Sequence, residues 1–323
     1  MLDFSGKRWW YLGFSLIFVV IAAVALAIPP RLKAGIEFTA GSSFTEQFEK
    51  PVSQGDLRSF MKDMGYEEVR IQGAGANTYL IRTRELAGAP TTDATGPSEP
   101  GELETIETKL AEKFGPRTRT DYSTVSSTVS SEIARNATIA VAAASLAIVL
   151  YLWFAFRQMP KPYRYGTCAV IALMHDAFVI LGLFSILGKL FDTEVDTAFV
   201  TAILTVIGFS VHDTIVVFDR IRETVTHDPF IPFEEAVNAS LTETLARSIN
   251  TSFVVVLTVL AMLLIGGVTI RNFLIVLLVG VISGTYSSIG IAAQLLVAWE
   301  NNDIGKFFRK ITGRSVEPEP EAV

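Results

Sequence analysis

Six windows of the sequence contain no Lys, Arg or Glu: residues 9 to 30, 136 to 156, 165 to 188, 197 to 218, 248 to 270 and 272 to 299. Together they hold 140 of the 323 residues and only two formal charges, Asp176 and Asp213. The rest of the 27 basic and 33 acidic residues crowd into what remains, a segregation that no soluble fold requires. A helix of 21 residues, the shortest window, rises about 1.5 Å per residue and so covers a hydrocarbon core of about 30 Å. Lipid offers the backbone no hydrogen-bond partner, so open strands are excluded. A barrel would alternate apolar and polar residues, whereas Ile139 to Leu152, Ser145 apart, is apolar on every face. The expected fold class is an α-helical polytopic membrane protein with six transmembrane helices. A soluble two-domain enzyme, which length alone would suggest, is excluded.

The first window follows Lys7 and Arg8, as a signal peptide would. It is too long for a typical cleaved apolar core, and Ile28-Pro29-Pro30 is a poor cleavage site, so it reads as a retained span. Short loops carry their Lys and Arg on the cytoplasmic side. Lys7, Arg8, Arg157, Lys161, Arg164, Arg220, Arg222, Arg247, Lys306, Arg309, Lys310 and Arg314 fall on one side. Only Lys189 and Arg271 occupy the opposite short loops. Both termini are therefore expected in the cytoplasm of a cell bounded by this inner membrane. The single cysteine, Cys168, lies in the third window and forms no internal disulfide.

Four regions follow: residues 1–30, a cytoplasmic tail and first helix; 31–134, an extracytoplasmic domain; 135–299, helices two to six; and 300–323, a cytoplasmic tail. In the external domain, Ser43 to Phe48, Val69 to Gln72, Thr78 to Arg82 and Thr118 to Val125 read as strands, and Gln54 to Met64 and Glu102 to Phe114 as helices. The order β, α, β, β, α, β is that of a small α+β ferredoxin-like domain. Ala87 to Gly101, rich in Pro, Gly, Thr and Ser, is expected to be a surface excursion, and Ser123 to Ser131 a connector into the second span. Phe233 to Leu245 is amphipathic and is expected to lie along the membrane before the fifth span.

A charge at the bilayer centre costs about 2.5 to 3.5 kcal/mol on the lenient insertion scale, so Asp176 and Asp213 call for a reason. Each follows a histidine, His175 and His212. Ser240, Thr244, Arg247, Thr251 and Thr258 recur at spacings of three, four and seven, a polar stripe on the fifth span. Arg247 beside Asp213 would make the protonation of that carboxyl sensitive to small movements, as a proton relay needs. Each residue also has a plainer reading. Asp176, His175, His212 and Ser210 supply polar support by hydrogen-bonding neighbouring helices, and Arg247 snorkels to the interface. Gly280, Gly284 and Ser288 form a small-residue ridge for close helix packing. No nucleophile elbow, phosphate-cradling Gly loop or metal-spaced Cys and His cluster occurs, so no enzymatic activity, metal or cofactor is expected. A basic nucleic-acid surface is absent too.

Several stretches carry a family resemblance: Gly35-Ile36-Glu37-Phe38-Thr39-Ala40-Gly41, Ala172-Leu173-Met174-His175-Asp176, Gly208 through Asp213 to Glu223, and Asn238 through Arg247 to Ser248. The chain resembles the SecF family, the smaller membrane subunits of the SecD-SecF accessory complex in bacterial protein export, built on the resistance-nodulation-division design. Glu37 and Ala40 stand where that family usually has Asp and Gly, and His212 where Asn is common. The resemblance implies a partner SecD, work beside the SecY-SecE-SecG channel on translocating polypeptide, and a drive from the proton or sodium gradient. It places ion coupling on Asp213, Arg247 and Thr251, with a further carboxylate supplied by SecD. Alternatives of other kinds are a half-size proton-coupled exporter of small molecules or lipids, and a passive scaffold.

Overall fold

The computed structural model describes residues 3–87, 101–159 and 161–303. The excursion expected at Ala87 to Gly101 and the basic residues of the C-terminal tail fall largely or wholly outside them. Six helices are long and apolar enough to cross a membrane. They are α1 (Arg8–Ala27), α5 (Ser127–Phe156), α6 (Pro162–Phe191), α7 (Thr197–His227), α8 (Phe233–Ile265) and the composite helix Arg271–Glu300. The last is α9 (Arg271–Ser287), a π-turn at Ser288–Ala292 and α10 (Ala293–Glu300). The sequence pattern had indicated one uninterrupted helix there. Their outward faces carry large apolar side chains in the open, such as Trp10 at 83% exposure and Ile265 at 88%, as lipid contact requires.

Between α1 and α5 lies the α+β domain that the loop charges predict to be external. A short helix α2 (Ile36–Thr39) leads into β1 (Gly41–Phe48), α3 (Gln54–Asp63), β2 (Arg70–Gly75), β3 (Thr78–Thr83), α4 (Glu102–Phe114) and β4 (Arg117–Val125). The strands pair antiparallel in the order β2-β3-β1-β4, the ferredoxin-like arrangement expected. Leu57 and Met61 on α3, with Leu103, Ile106 and Leu110 on α4, recur at helical spacing and bury their apolar stripe against Phe44, Ile71 and Ile81 of the sheet. Ser53 caps α3, its hydroxyl accepting from Gly55 N at 3.2 Å. Gly41 opens β1 at φ +141°, where a Cβ would stand 2.5 Å from the Thr83 carbonyl oxygen, so no larger residue fits.

The domain is tied to the membrane helices at the loop after α6. Ala34 bridges Val195 in parallel. Lys33 and Arg58 both pair with Asp192, at 2.5 and 2.6 Å, while Arg70 and Arg82 converge on the buried Glu194.

Two features depart from the sequence reading. Helix α5 begins at Ser127, capped by Ser126, so residues 127–134 belong to the membrane helix rather than to the external domain. The amphipathic segment 233–245 does not lie apart on the membrane surface; it forms the first turns of a continuous 33-residue helix, α8. Its apolar face is already taken up by protein, since Val237 and Leu241 pack in one cluster with Val217, Phe218 and Ile221 of α7. Asn238 at the same end accepts from the backbone N–H groups of Phe4 and Ser5, at 3.0 and 2.9 Å, and fixes the chain's start against it.

Candidate functional site

Close approach between helices sets the site. On α9, a Cβ at Gly280 would stand 2.3 Å from Val206 Cγ2, and one at Gly284 would stand 3.0 Å from Ser210 Cβ. Ser288, the next position down that ridge, shares a 3.0 Å hydrogen bond with Thr214. The ridge Gly280, Gly284, Ser288 thus meets Val206, Ser210, Thr214 of α7, each row spaced by four residues, which brings hydroxyl groups of one helix within reach of the other.

Asp176 is wholly buried where α6, α7 and α9 meet. Its Oδ2 accepts from Ser210 and Ser287, both at 2.7 Å, and its Oδ1 from Ser283 at 2.7 Å. His175 Nδ1 lies 3.2 Å from Oδ1, while His175 Nε2 is buried with no hydrogen-bond partner among the described residues. Three hydroxyls therefore satisfy this carboxylate and tie three helices together.

Asp213, one helical layer toward the His227 end of α7, is 8% exposed and held less completely. Its Oδ1 accepts from Ser248 of α8 at 2.7 Å; its Oδ2 is buried without a hydrogen bond among the described residues. Ser252, one turn beyond Ser248, shares a 2.5 Å hydrogen bond with Thr285 of α9. Hydroxyls of α7, α8 and α9 thus surround both carboxylates, and one oxygen of Asp213 has no hydrogen bond among the described residues.

The structure does not bring Asp213 and Arg247 together. Helix rotation of about 100° per residue explains this: Ser248 is the position aimed at Asp213, so its neighbour Arg247 points away. Arg247 is exposed and lines a polar recess of about 360 Å³ with Asp219, Arg220, Glu223 and Glu243, in which Arg220 pairs with both glutamates. Thr251 is exposed as well, its hydroxyl donating to the Arg247 carbonyl at 2.9 Å, and so is His212. The stripe read on α8 divides accordingly. Ser240 and Thr244 are buried, while Arg247, Thr251 and Thr258 face out. The buried row is Ser240, Thr244, Ser248, Ser252, a strict four-residue repeat that was visible in the sequence. Of the four serines that touch the carboxylates, the sequence reading singles out Ser210 but not Ser248, Ser283 or Ser287.

A family model described as "Protein export membrane protein SecD/SecF, C-terminal" matches residues 105–302. The chain belongs to the SecD/SecF family. It is 43% identical over 326 residues to the protein translocase subunit SecF of Thermobaculum terrenum, covering all of both chains. Against the fused protein translocase subunit SecDF of Bacillus subtilis it is 35% identical over 309 residues, covering 94% of this chain and 39% of that one. The crystal structure of SecDF from Thermus thermophilus, a translocon-associated membrane protein, superposes with a TM-score of 0.79 at 30% identity, over 93% of this chain and 39% of that chain. A crystal structure of SecDF in a super-membrane-facing form gives 0.64 at 28% identity, over 96% and 40%. The chain thus matches a SecF subunit end to end and about two fifths of a fused SecDF, and it serves the Sec translocase as an accessory membrane subunit.

Proposed function

We propose that this chain is the SecF half of a SecD–SecF pair that uses the proton gradient, with Asp213 as the group that carries the ion, to promote polypeptide export beside the SecY-SecE-SecG channel. The observation that carries the reading is the contrast between the two buried carboxylates. Asp176 has its acceptor capacity filled by three serines, whereas Asp213 keeps one buried oxygen unpaired. A buried carboxylate with an oxygen outside hydrogen-bond distance of any donor can take a proton on that oxygen without giving up a bond already made, although the Ser288 hydroxyl stands near it.

Arg247, Thr251 and His212 all lie on open surface around it. A second helical half laid against that surface would desolvate Arg247 and bring its own carboxylate to the site, which fits the fused SecDF relatives in which this chain's match spans two fifths of the length. Function here is coupling and conformational change rather than covalent chemistry. In this reading both termini are cytoplasmic, the ferredoxin-like domain faces outward in the cytoplasmic membrane, and Gly280, Gly284 and Ser288 keep α9 close enough to α7 to sense a change at Asp213.

The test is export into vesicles holding the translocation channel and both halves of the pair, with and without an imposed proton gradient. Asp213→Asn and Arg247→Ala are each expected to abolish the gradient-dependent increment while the chain still inserts. Their combination should lose no more than either alone, as members of one working unit do. Undiminished gradient dependence in Asp213→Asn would refute the assignment.

A further inference from the structure

Beneath the external domain, where α3 and β2 overhang the outer ends of α6 and α9, lies a cavity of about 670 Å³. Its floor is apolar: Leu187, Leu190 and Phe191 from the last turn of α6, and Ile275 from α9. Leu190 and Phe191 are 68% and 62% exposed. Its upper wall is polar and carries Arg58 and Arg271.

The two arginines are not spent on each other or on the one acid present. Asp192 in the wall is paired by Lys33 as well as by Arg58, so it offsets only one of the positive charges around it. Arg58 gives Nη2 to Asp192, but its Nε is buried without an acceptor. Arg271 makes no hydrogen bond or ion pair among the described residues. The exposed Arg271 guanidinium, without a partner among the described residues, and the partly exposed Arg58 therefore border a space whose lower half is hydrocarbon-like. Guanidinium groups suit phosphate oxygens, and an apolar floor at the end of two membrane helices suits acyl chains. Neither a free anion nor a simple alkane would satisfy both halves.

We propose that this cavity is a binding site for one anionic glycerophospholipid, its phosphate held by Arg271 and the accessible part of the Arg58 guanidinium and its chains running down over Leu190 and Phe191. Bound there, the lipid wedges between the external domain and the membrane helices, next to the Asp192 ion pairs that hold the two together. Only the choice of leaflet rests on the outward orientation of the domain. Binding itself is independent of any role in export, so it can fail without touching the assignment of Asp213, and the reverse.

The full chain, purified in detergent and stripped of lipid in graded steps, is examined by native mass spectrometry after addition of phosphatidylglycerol, phosphatidylcholine or inorganic phosphate. One phosphatidylglycerol is expected to persist through stripping, with phosphatidylcholine retained roughly tenfold less, as loss of a charge-assisted contact predicts. Arg271→Gln should reduce the retained phosphatidylglycerol by a similar factor. Gly73→Leu provides a second variant that removes no charge: Gly73 lines the cavity, and a Cβ there meets nothing within 4 Å, so a larger residue is accommodated at the cavity wall without a backbone clash. It should displace the lipid equally. Equal retention of the two lipids, or wild-type retention in both variants, overturns the proposal. Binding of inorganic phosphate alone that depends on Arg271 and excludes the lipid would overturn it in favour of a simple anion site.

Discussion

At the scale of single residues, the two intramembrane carboxylates have different work because they have different numbers of donors. Three serines converge on Asp176 from two helices. Replacing it by Leu would leave those hydroxyls buried without their acceptor, at about 1–3 kcal/mol for each that finds no other partner. Ser287 has an alternative in the Gly284 carbonyl at 3.1 Å, which leaves two hydroxyls, so the expected total for Asp176→Leu is about 2–6 kcal/mol. Thermal unfolding of the detergent-solubilised chain should show a clearly lowered midpoint. An unchanged midpoint would mean the serines are not held by this carboxylate. Asp213→Asn, by contrast, keeps an oxygen for Ser248 and should unfold close to wild type. Burial expense alone drew attention to both aspartates in the sequence, yet it could not rank them. The ranking depends on Ser283, Ser287 and Ser248, and serine is so common in helices that its presence at a given position carries no signal until the helices are placed.

At the scale of elements, close crossings are what the bundle depends on. The ridge on α9 was legible because small residues four apart leave a groove whatever the partner. The crossing of α1 and α6 was not. There a single glycine, Gly182, lets Ala22 approach so closely that a Cβ would stand 2.2 Å from Ala22 Cβ and 2.5 Å from its Cα. Ser185 Oγ donates to the Ala25 carbonyl at 2.8 Å along the same contact. Backbone cannot give way as a flexible side chain can, so Gly182→Ala is expected to destabilise by about 1–3 kcal/mol or more. Gly208→Ala, with nothing within 4 Å of the new Cβ, is the matched control and should be neutral or slightly stabilising. Equal midpoints for the two variants would refute the crossing. The π-turn at Ser288–Ala292 was likewise invisible to periodicity, because one extra residue in a turn shifts an apolar pattern too little to notice. It falls immediately after the hydroxyls that hold Asp176, where rotation of the chain changes which residue faces the seam.

At the scale of the whole molecule, the external domain and the bundle are joined through acidic residues in the loop after α6. Burial pushes the Asp192 carboxyl up, but hydrogen bonds and charge from Lys33 and Arg58 outweigh it and hold the group below the usual aspartate range. A carboxylate lowered in the folded state contributes stability above its unfolded value, near about 4, and that contribution fades as pH falls through the folded value. Docking should therefore be fully present at neutral pH and weaken below about pH 4. Hydrogen exchange at Gly35 and Val195 reports on it directly, since the Gly35 N–H donates to the Val195 carbonyl at 2.9 Å and the Val195 N–H to the Lys33 carbonyl at 2.7 Å across the junction. Protection there should fall on acidification in the wild type. In Asp192→Asn it should be low already at neutral pH and change little over the same range. Pattern reading placed six spans and a ferredoxin-like domain between the first two. It could not supply this junction, since the ion pairs join residues more than a hundred positions apart.

The central claim is that Asp213 carries the ion. Proton release from the acidified lumen of vesicles containing the chain with its SecD partner and the translocation channel, followed by a pH dye while polypeptide is being exported into them, measures it most directly. The wild type should acidify the lumen-opposed compartment in step with export, and Asp213→Asn should show no flux above the leak of empty vesicles, with Asp176→Asn retaining most of it. Flux of wild-type size in Asp213→Asn would contradict the account.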